Sequence, residues 1–598
     1  MRKFPVLLLA AFVLPLKPAL SQEKAPISYQ ISWRQPNSHL FDISLTVENL
    51  NNENMEFRIP AWRPGRYYMQ NYARNVMAFQ AFDELQRPLS STKIDKDTWR
   101  VQSAQAARVV VKYQYYARQL DGGASYLDDS EAYINPITLL MYIPGQELSP
   151  VRLQIEKPSD WRVATALNTD ASEKAFFSES YHELVDAPIL ISPNFMLLSF
   201  EDKGAQYDLV FQGDVDFDQK KVVEDVHKIV AEQTRFMQIV PFKRYVFLYH
   251  LVPFRMGHGV EHKYSTSIVM GPADFENEKF YNGFLSVTSH EFFHVWNVER
   301  IRPQAIYLPD YSKEAYTTTM WDYEGFTSYY GGLTLVRAKL KKRDKYFEDL
   351  AKAIKSLQNA FGRKITSVAM SSWDSWTKGY GHAPPNSSVS FYGKGALLGL
   401  LLDLEVRQRT KNHKSLDDVL RFLYDTYAAH NRGVPEDGLQ QALTSVAGGS
   451  YDQFFADYVF GTEEIDYNRF LAYAGLQLTE EQDEKQPSAY LGIKTAGDTK
   501  ECKVTNVLPE TPAYHAGLDV GDVLLAFDTK RTRQNSWKKM LKKYAPGDTI
   551  TVTVFRRNVL RNFRVGLESG GNSKFAIKEL DKVSKLQKRI RKSWLNEQ

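Results

Sequence analysis

The chain has 598 residues, which is too long for a single hydrophobic core, so several domains are expected. Hydrophobic residues make up 43% and charged residues 24% of the sequence, a composition typical of globular proteins. The net charge of +4 comes from 75 basic and 71 acidic residues, and with so close a balance we expect no nucleic-acid partner.

The first residues carry the features of an export signal. Arg2 and Lys3 give a positive start, an apolar run covers 4–16, and Ala19-Leu20-Ser21 places small residues where a signal peptidase reads them. This pattern predicts a signal peptide over 1–21. The apolar run is too short to span a bilayer, so we expect no stable membrane insertion once the signal is removed.

Cysteine usage indicates the cellular compartment. Cys502 stands alone, so intramolecular disulfide bonds are excluded. An exported protein of this size without disulfides fits a bacterial periplasm better than a eukaryotic secretory route. The predicted location is therefore periplasmic or secreted, in a bacterium.

Residues 22–212 are predicted to form a β-rich N-terminal domain. Segments such as Ile27–Trp33, Phe41–Val47 and Val109–Tyr116 alternate aromatic or β-branched residues with polar ones, which favours an antiparallel sheet or sandwich. The aromatic and proline-rich segment 60–68 is too rigid for a plain linker.

From residue 213 onwards the pattern changes to helical apolar spacing, and 213–477 is predicted to be a mainly helical domain. Two strands are expected, at Arg244–Val252 and Tyr264–Met270. The predicted helices cover 216–239, 284–298, 320–341, 345–360, 392–409, 415–429 and 450–460.

The last part of the chain divides into three predicted pieces. Residues 478–487 are polar and resemble a linker, 488–568 form a compact β-rich module, and 573–598 form a basic tail with helical spacing and a solvated face. The whole chain is therefore predicted to be a multidomain α+β protein.

The segment His290-Glu-Phe-Phe-His294 indicates a metal site. Histidines four residues apart on a helix share one face, with Cβ atoms about 5–6 Å apart, so both imidazoles can reach one zinc ion. Glu291 then lies where it can accept a proton from the attacking water. Pro303 is predicted to mark the end of this helix.

A second predicted helix supplies a further ligand. Glu324 lies near the start of this helix, 30 residues after His294. A catalytic zinc needs a third protein ligand together with an open position. We therefore expect one zinc ion held by His290, His294 and Glu324.

Two further segments are candidates for substrate contacts. Tyr392, just before a predicted helix, can donate a hydrogen bond to an oxyanion, although buried tyrosines are common. Glu261, in the segment Gly259-Val-Glu261-His262, can bind the free amine of a substrate, although the ordinary alternative is an exposed glutamate.

These motifs together make the family recognisable. His290–His294 with Trp321-x-x-Glu324-Gly-Phe-Thr resembles the glutamate-zinc peptidases, which include thermolysin and the large aminopeptidases. The continuation from His294 to Pro303, the segment Pro60–Gly65 and the segment Tyr392-x-Lys-Gly395 are similar to the narrower glycyl aminopeptidase family that carries a C-terminal PDZ domain.

The resemblance implies a β-rich N-terminal domain, a thermolysin-like zinc peptidase domain over 213–477 and a PDZ module over 488–568. It implies removal of small N-terminal residues such as Gly or Ala from peptides. It also implies that Tyr392 stabilises the oxyanion, and that Glu261, with Gly259, holds the amino terminus of the substrate.

The C-terminal module has its own resemblance. Tyr490-Leu491-Gly492-Ile493 resembles the loop with which PDZ domains bind a peptide carboxylate, and 511–524 resembles the central stretch of bacterial PDZ domains. The resemblance implies a possible C-terminal peptide ligand at this loop.

The predicted activity is that of a zinc aminopeptidase with Glu291 as general base. Two alternatives stay open at this stage. The first is an endopeptidase on the same scaffold, whose PDZ module recruits protein substrates. The second is a non-enzymatic PDZ adaptor with a degenerate peptidase domain.

Overall fold

The computed structural model describes residues 26–48, 52–169, 175–481, 488–497, 501–570 and 574–597. The predicted signal peptide, most of the predicted linker and residue 573 lie outside these ranges. Among the described residues, none of the helices combines the length and the apolar character that crossing a bilayer requires.

The N-terminal region is built from strands, as its alternating sequence predicts. Its two short helices are α1 (Pro136–Leu139) and α2 (Tyr181–Val185). The strands are β1 (Ile27–Ser32), β2 (Leu40–Glu48), β3 (Asn54–Arg58), β4 (Val76–Phe82), β5 (Pro88–Leu89), β6 (Ser91–Lys93), β7 (Thr98–Gln102), β8 (Arg108–Tyr116), β9 (Tyr126–Leu127), β10 (Ala132–Ile134), β11 (Val151–Ile155), β12 (Arg162–Thr165), β13 (Asn168–Thr169), β14 (Ala175–Ser178) and β15 (Ile189–Ser192).

Within the described residues, these strands form three sheets around one apolar core. The largest has the order β13-β14-β11-β1-β2-β8-β4-β5, and the others are β12-β15-β10-β9 and β3-β7-β6. Alternate residues of β1 and β2, such as Ile31 and Phe41, are buried in this core. The period of two in the sequence therefore corresponds to a core face and an outer face.

The middle region combines one sheet with many helices. Its strands are β16 (Met196–Asp202), β17 (Ala205–Gln212), β18 (Arg244–Leu251), β19 (Met256–Glu261) and β20 (Ser265–Gly271). Its helices are α3 (Gln219–Met237), α4 (Glu278–Phe293), α5 (Met320–Arg337), α6 (Arg343–Gln358), α7 (Val368–Trp373), α8 (Ser375–Lys378), α9 (Phe391–Arg409), α10 (Leu416–Thr426), α11 (Gly438–Ala447), α12 (Asp452–Phe454) and α13 (Tyr467–Leu471).

The sheet of the middle region has the order β16-β17-β18-β20-β19. The boundary predicted at residue 212 assigns β16 and β17 to the N-terminal domain, and the structure corrects this. β17 pairs in parallel with β18, so both strands belong to the sheet that carries the helices. Sequence alternation alone does not say which neighbouring strand will complete a sheet.

This sheet is buried on both faces. Phe247 and Tyr249 of β18 pack towards the helices, while Val246 and Leu248 pack against the N-terminal region. The sheet therefore joins the two regions, and β19, which pairs antiparallel with β20, forms its edge.

Helix α4 ends earlier than the sequence predicts. Its last residue is Phe293 and His294 is its C-cap, so the helix stops well before Pro303. Val298 then has φ of +113°, which is rare for a β-branched residue, and the chain turns there instead of continuing. This turn brings Asn297 back beside His294.

The C-terminal region forms a small β module with a separate apolar core. Its helices are α14 (Pro512–Ala516), α15 (Trp537–Leu541) and α16 (Lys585–Leu595). Its strands are β21 (Leu476–Glu481), β22 (Ser488–Tyr490), β23 (Ile493–Ala496), β24 (Lys503–Val507), β25 (Val523–Phe527), β26 (Lys530–Arg531), β27 (Thr549–Arg556), β28 (Val559–Gly566), β29 (Glu568–Gly570) and β30 (Lys574–Glu579).

Two predicted pieces of this region have a different structure. The start of the predicted linker is β21, which pairs with β30 at the start of the predicted helical tail. Only α16 of that tail is helical, and its Ile590 and Trp594 are buried against the middle region. The predicted fold class, a multidomain α+β protein with a β-rich start and a helical middle, is confirmed.

Candidate active site

His290, His294 and Glu324 come together between α4 and α5. Their potential ligand atoms all lie within 4.8 Å of one another. The two Nε2 atoms are 3.2 Å apart, and Glu324 Oε2 lies 3.7 Å from Nε2 of His290 and 3.5 Å from Nε2 of His294.

These separations fit a zinc ion. Ligand atoms about 2.0–2.2 Å from a tetrahedral zinc are about 3.3–3.6 Å apart, which is close to the three observed distances. The donor set of two nitrogens and one carboxylate oxygen is one that zinc prefers.

A backbone carbonyl orients His294. Its Nδ1 lies 2.8 Å from the carbonyl oxygen of Asn297, so Nδ1 carries the proton and donates, which leaves Nε2 free for a metal. The amide of Asn297 in turn donates to the carbonyls of Asp322 and Tyr323 at the start of α5. Thr327 Oγ1 lies 3.2 Å from the same amide nitrogen. Asn297 is not among the residues predicted from the sequence, although its position three residues after His294 is a usable signal.

Glu291 lies beside the edge strand β19. Its carboxylate is so close to Gly259 that a Cβ at that position would lie 2.1 Å from Oε1. The absence of a side chain at Gly259 thus lets the edge strand approach the carboxylate.

The site has a strongly negative potential. Burial raises the pKa of Glu291 to about 8; the nearby His294 lowers it, and the carboxylates of Glu261 and Glu324 raise it. Burial lowers the pKa of His294, but the carboxylates of Glu261 and Glu324 outweigh this and raise it. Burial is the main cause of the shift at Glu291, and the neighbouring carboxylates are the cause of the shift at His294.

Glu261 lies beside Glu291 and His294. Its side chain is buried, and Oε1 has no hydrogen-bond donor among the residues that the structure describes. One carboxylate oxygen of Glu261, one of Glu291 and a ring nitrogen of His294 lie within 4.8 Å of one another. Behind Glu261 stands Gly65, where a Cβ would be 2.8 Å from Oε2.

Three tyrosine hydroxyls lie within electrostatic reach of these carboxylates. They belong to Tyr392, the second residue of α9, and to Tyr67 and Tyr380. Burial raises the pKa of each hydroxyl, and the charges of Glu324 and Glu261 raise it further, so all three stay protonated. Tyr67 and Tyr380 are not among the residues predicted from the sequence, although Tyr67 lies in the aromatic segment 60–68.

The predicted peptide loop lies in the C-terminal module and takes no part in this cluster. Tyr490 ends β22, Ile493 begins the edge strand β23, and Leu491 is buried between them. The carbonyl of Leu491 accepts from the backbone N–H of Ala513, and that of Gly492 accepts from a backbone N–H farther along the chain. Both carbonyls are therefore tied into the module.

Comparison with known proteins identifies the regions just described. Residues 28–193 match the profile of the peptidase M61 N-terminal domain, residues 283–398 match that of the M61 glycyl aminopeptidase, and residues 489–567 match that of a PDZ domain. A search of curated proteins returned no significant match.

Solved structures with a similar fold include peptidases. The aminopeptidase N family protein from Idiomarina loihiensis has a TM-score of 0.87 and 28% sequence identity, covering 95% of this chain and 100% of its own. An M1 zinc metallopeptidase from Deinococcus radiodurans has a TM-score of 0.46 and 12% identity, covering 73% of this chain and 94% of its own.

The fold, the clustered histidines and glutamate, and the peptidase profile over 283–398 define the class: this chain is a zinc metallopeptidase. Residues 28–193 and 283–398 match the two M61 peptidase profiles, and the C-terminal module is a PDZ domain, as the sequence motifs indicated.

Proposed function

We propose that this chain is an aminopeptidase that removes small N-terminal residues from peptides. The observation that carries the proposal is the buried carboxylate of Glu261, whose Oε1 has no hydrogen-bond partner among the residues that the structure describes. The amine nitrogen and carbonyl carbon of one residue are about 2.5 Å apart, so an α-ammonium on Glu261 leaves the first peptide bond beside Glu291.

The three ligands would be His290, His294 and Glu324, holding one zinc ion. When bound, zinc polarises the substrate carbonyl and acidifies the attacking water. Glu291 accepts a proton from that water and passes it to the leaving amine. Tyr392 donates a hydrogen bond to the developing oxyanion.

The position of Gly65 behind Glu261 also argues against the endopeptidase alternative. An endopeptidase needs room for chain on both sides of the scissile bond, whereas Gly65 stands directly behind Glu261. The crowding of Tyr67, Tyr380 and Tyr392 around the same carboxylates favours a first residue with a small side chain, such as Gly or Ala.

The test uses Gly- and Ala-anilides and their N-acetylated forms, with wild type and Glu291→Gln, with and without a chelator. We expect cleavage of the free-amine substrates alone, abolished by chelation and reduced by about 10²–10⁴ in Glu291→Gln. Glu278→Gln, an exposed change at the start of the same helix, should retain full activity. Cleavage inside the blocked peptides would favour the endopeptidase, and absence of zinc binding would favour the adaptor.

Export to a bacterial periplasm belongs to the same proposal and is supported by the sequence of residues 1–21. Fractionation of cells that express the full chain tests it. Mature protein in the periplasmic fraction that begins near Gln22 is the expected result, and uncleaved protein in the cytoplasm would contradict it.

A further inference from the structure

One segment touches the active site, the N-terminal region and the PDZ domain. This rim segment, residues 379–388, connects α8 to α9. Its own backbone hydrogen bonds, in the part of the chain described, are His382 N–H to Gly379 and Ser387 N–H to Pro384. Because the segment has so few internal hydrogen bonds, its conformation depends on contacts with other parts of the protein.

On the active-site side, the rim segment presents Tyr380. This residue has φ of +55° and lies between two glycines, and its hydroxyl accepts a hydrogen bond of 3.1 Å from the backbone N–H of Tyr67. Tyr67 belongs to the loop in which Gly65 lies so close to Glu261 that an added Cβ would be 2.8 Å from Oε2. Tyr380 therefore braces the loop that forms the wall of the cleft beside Glu261.

The N-terminal region holds the same segment with aromatic contacts. The guanidinium of Arg66 lies 5.6 Å from the ring centroid of Tyr380. Tyr68 stacks on His382, with ring centroids 5.1 Å apart and planes inclined by 10°.

On its far side, the rim segment is bonded to the PDZ domain through two asparagines. The side-chain amide of Asn386 donates to Asn506 Oδ1 at 2.8 Å, and that of Asn506 donates back to Asn386 Oδ1 at 2.8 Å. Asn386 Nδ2 also lies 2.8 Å from the carbonyl oxygen of Val507. Both PDZ residues lie at the end of β24, next to the edge strand β23.

We propose that Asn506 is a positioning residue for the peptidase reaction. By bonding Asn386 it fixes the rim segment, and the rim segment keeps Tyr380 against Tyr67 in the wall of the cleft. The inference rests on the proposed aminopeptidase function. It gives the PDZ domain a part in forming the substrate-binding cleft, independent of any peptide that the domain itself binds.

The experiment compares Asn506→Ala with Asn386→Gly, which removes the same bonds from the other side and keeps the left-handed backbone that Asn386 adopts, with φ of +64°. The control is Asn562→Ala on β28, at the opposite edge of the sheet, where the side chain also makes one hydrogen bond. Full-length proteins are assayed on a Gly-anilide, and their melting temperatures are recorded.

We expect both test variants to raise KM about tenfold, because losing the paired hydrogen bonds frees the rim, and to change kcat little. Partial unfolding would instead lower kcat in proportion to the inactive fraction. The KM of the double variant Asn506→Ala with Tyr380→Phe should rise no further than the KM of the more impaired single variant. Additive losses, or KM values equal to that of Asn562→Ala, would overturn the proposal.

A second readout does not depend on activity. Limited digestion with chymotrypsin should cut after Tyr380 about tenfold faster in Asn506→Ala than in Asn562→Ala. Equal cutting rates would refute the anchoring step. Faster cutting with an unchanged KM would refute the positioning role. An inactive wild type would refute the proposed function, while the digestion would still decide whether Asn506 anchors the rim.

Discussion

The negative charge of the carboxylates around the metal site exceeds the positive charge of one zinc ion. Glu261, Glu291 and Glu324 carry three negative charges when ionised, and a zinc ion supplies two positive ones. The buried guanidinium of Arg63 also acts on Glu291. The α-ammonium of a peptide would add its positive charge where Oε1 of Glu261 has no partner among the described residues.

Glu261→Gln tests this balance. Removing the charge leaves the substrate ammonium without its ionic partner in a buried site, so we expect kcat/KM for a Gly-anilide to fall about a hundredfold or more. Zinc content should be unchanged, because Glu261 is not in the ligand set. An unaltered kcat/KM with full zinc occupancy would remove Glu261 from substrate binding.

Asn297→Ala tests the orientation of His294. The amide of Asn297 fixes the turn that presents its own carbonyl to His294 Nδ1, so we expect zinc affinity to fall about 10–100-fold. Competition with a chelator measures this affinity. The control is Asn277→Ala, which removes the N-cap at the other end of α4 and should cost about 1 kcal/mol of stability with zinc affinity unchanged. Equal zinc affinities in both variants would contradict the role of Asn297.

At the scale of elements, the loop 60–68 closes the cleft by its close approach to Glu261. Gly65→Ala would introduce a Cβ 2.8 Å from Glu261 Oε2, so we expect kcat/KM to fall at least tenfold as the carboxylate moves. Gly145→Ala is the matched control, since Gly145 has a similar φ of +86° with no atom within 4 Å of the added Cβ. Both variants carry the same backbone strain, so equal activities would show that contact with Glu261 is unimportant.

The elements that hold the metal ligands could be predicted because their signals are local. The spacing of His290 and His294 requires only a helix, and Glu324 requires a second one, and both helices are present as α4 and α5. The end of α4 could not be predicted from Pro303, because the turn at Val298 is stabilised by contacts between Asn297 and α5.

Contacts between distant segments account for what the sequence analysis missed. Tyr67 and Tyr380 are 313 positions apart, and their hydrogen bond depends on how two regions pack. The assignment of β16 and β17 to the wrong region has the same origin, because pairing with β18 decides it. Local periodicity does not tell which distant segments will pack together or which strands will pair.

At the scale of the molecule, the chain returns to the peptidase region after the PDZ domain. β30 pairs with β21, and α16 then packs beside α5, the helix that carries Glu324. The PDZ domain is therefore tethered at both of its ends to the peptidase region, and also through Asn386 in the rim segment. Such tethering restricts the orientations open to the domain and suits it to act on the cleft.

Trp594→Ala tests whether α16 supports the peptidase region. Trp594 is fully buried, its indole N–H donates to the hydroxyl of Tyr329 at 2.8 Å, and its carbonyl accepts from Arg337 at 2.9 Å, both on α5. Removing the indole from this site should lower the free energy of unfolding by about 3–5 kcal/mol. Urea unfolding of the full chain, followed by far-ultraviolet circular dichroism, measures the change. Trp373→Ala removes a partly exposed indole and should cost only about 0.5 kcal/mol. If the two variants lose equal stability, α16 is peripheral. If Trp594→Ala alone is destabilised, α16 stabilises α5, which carries Glu324, the proposed third zinc ligand.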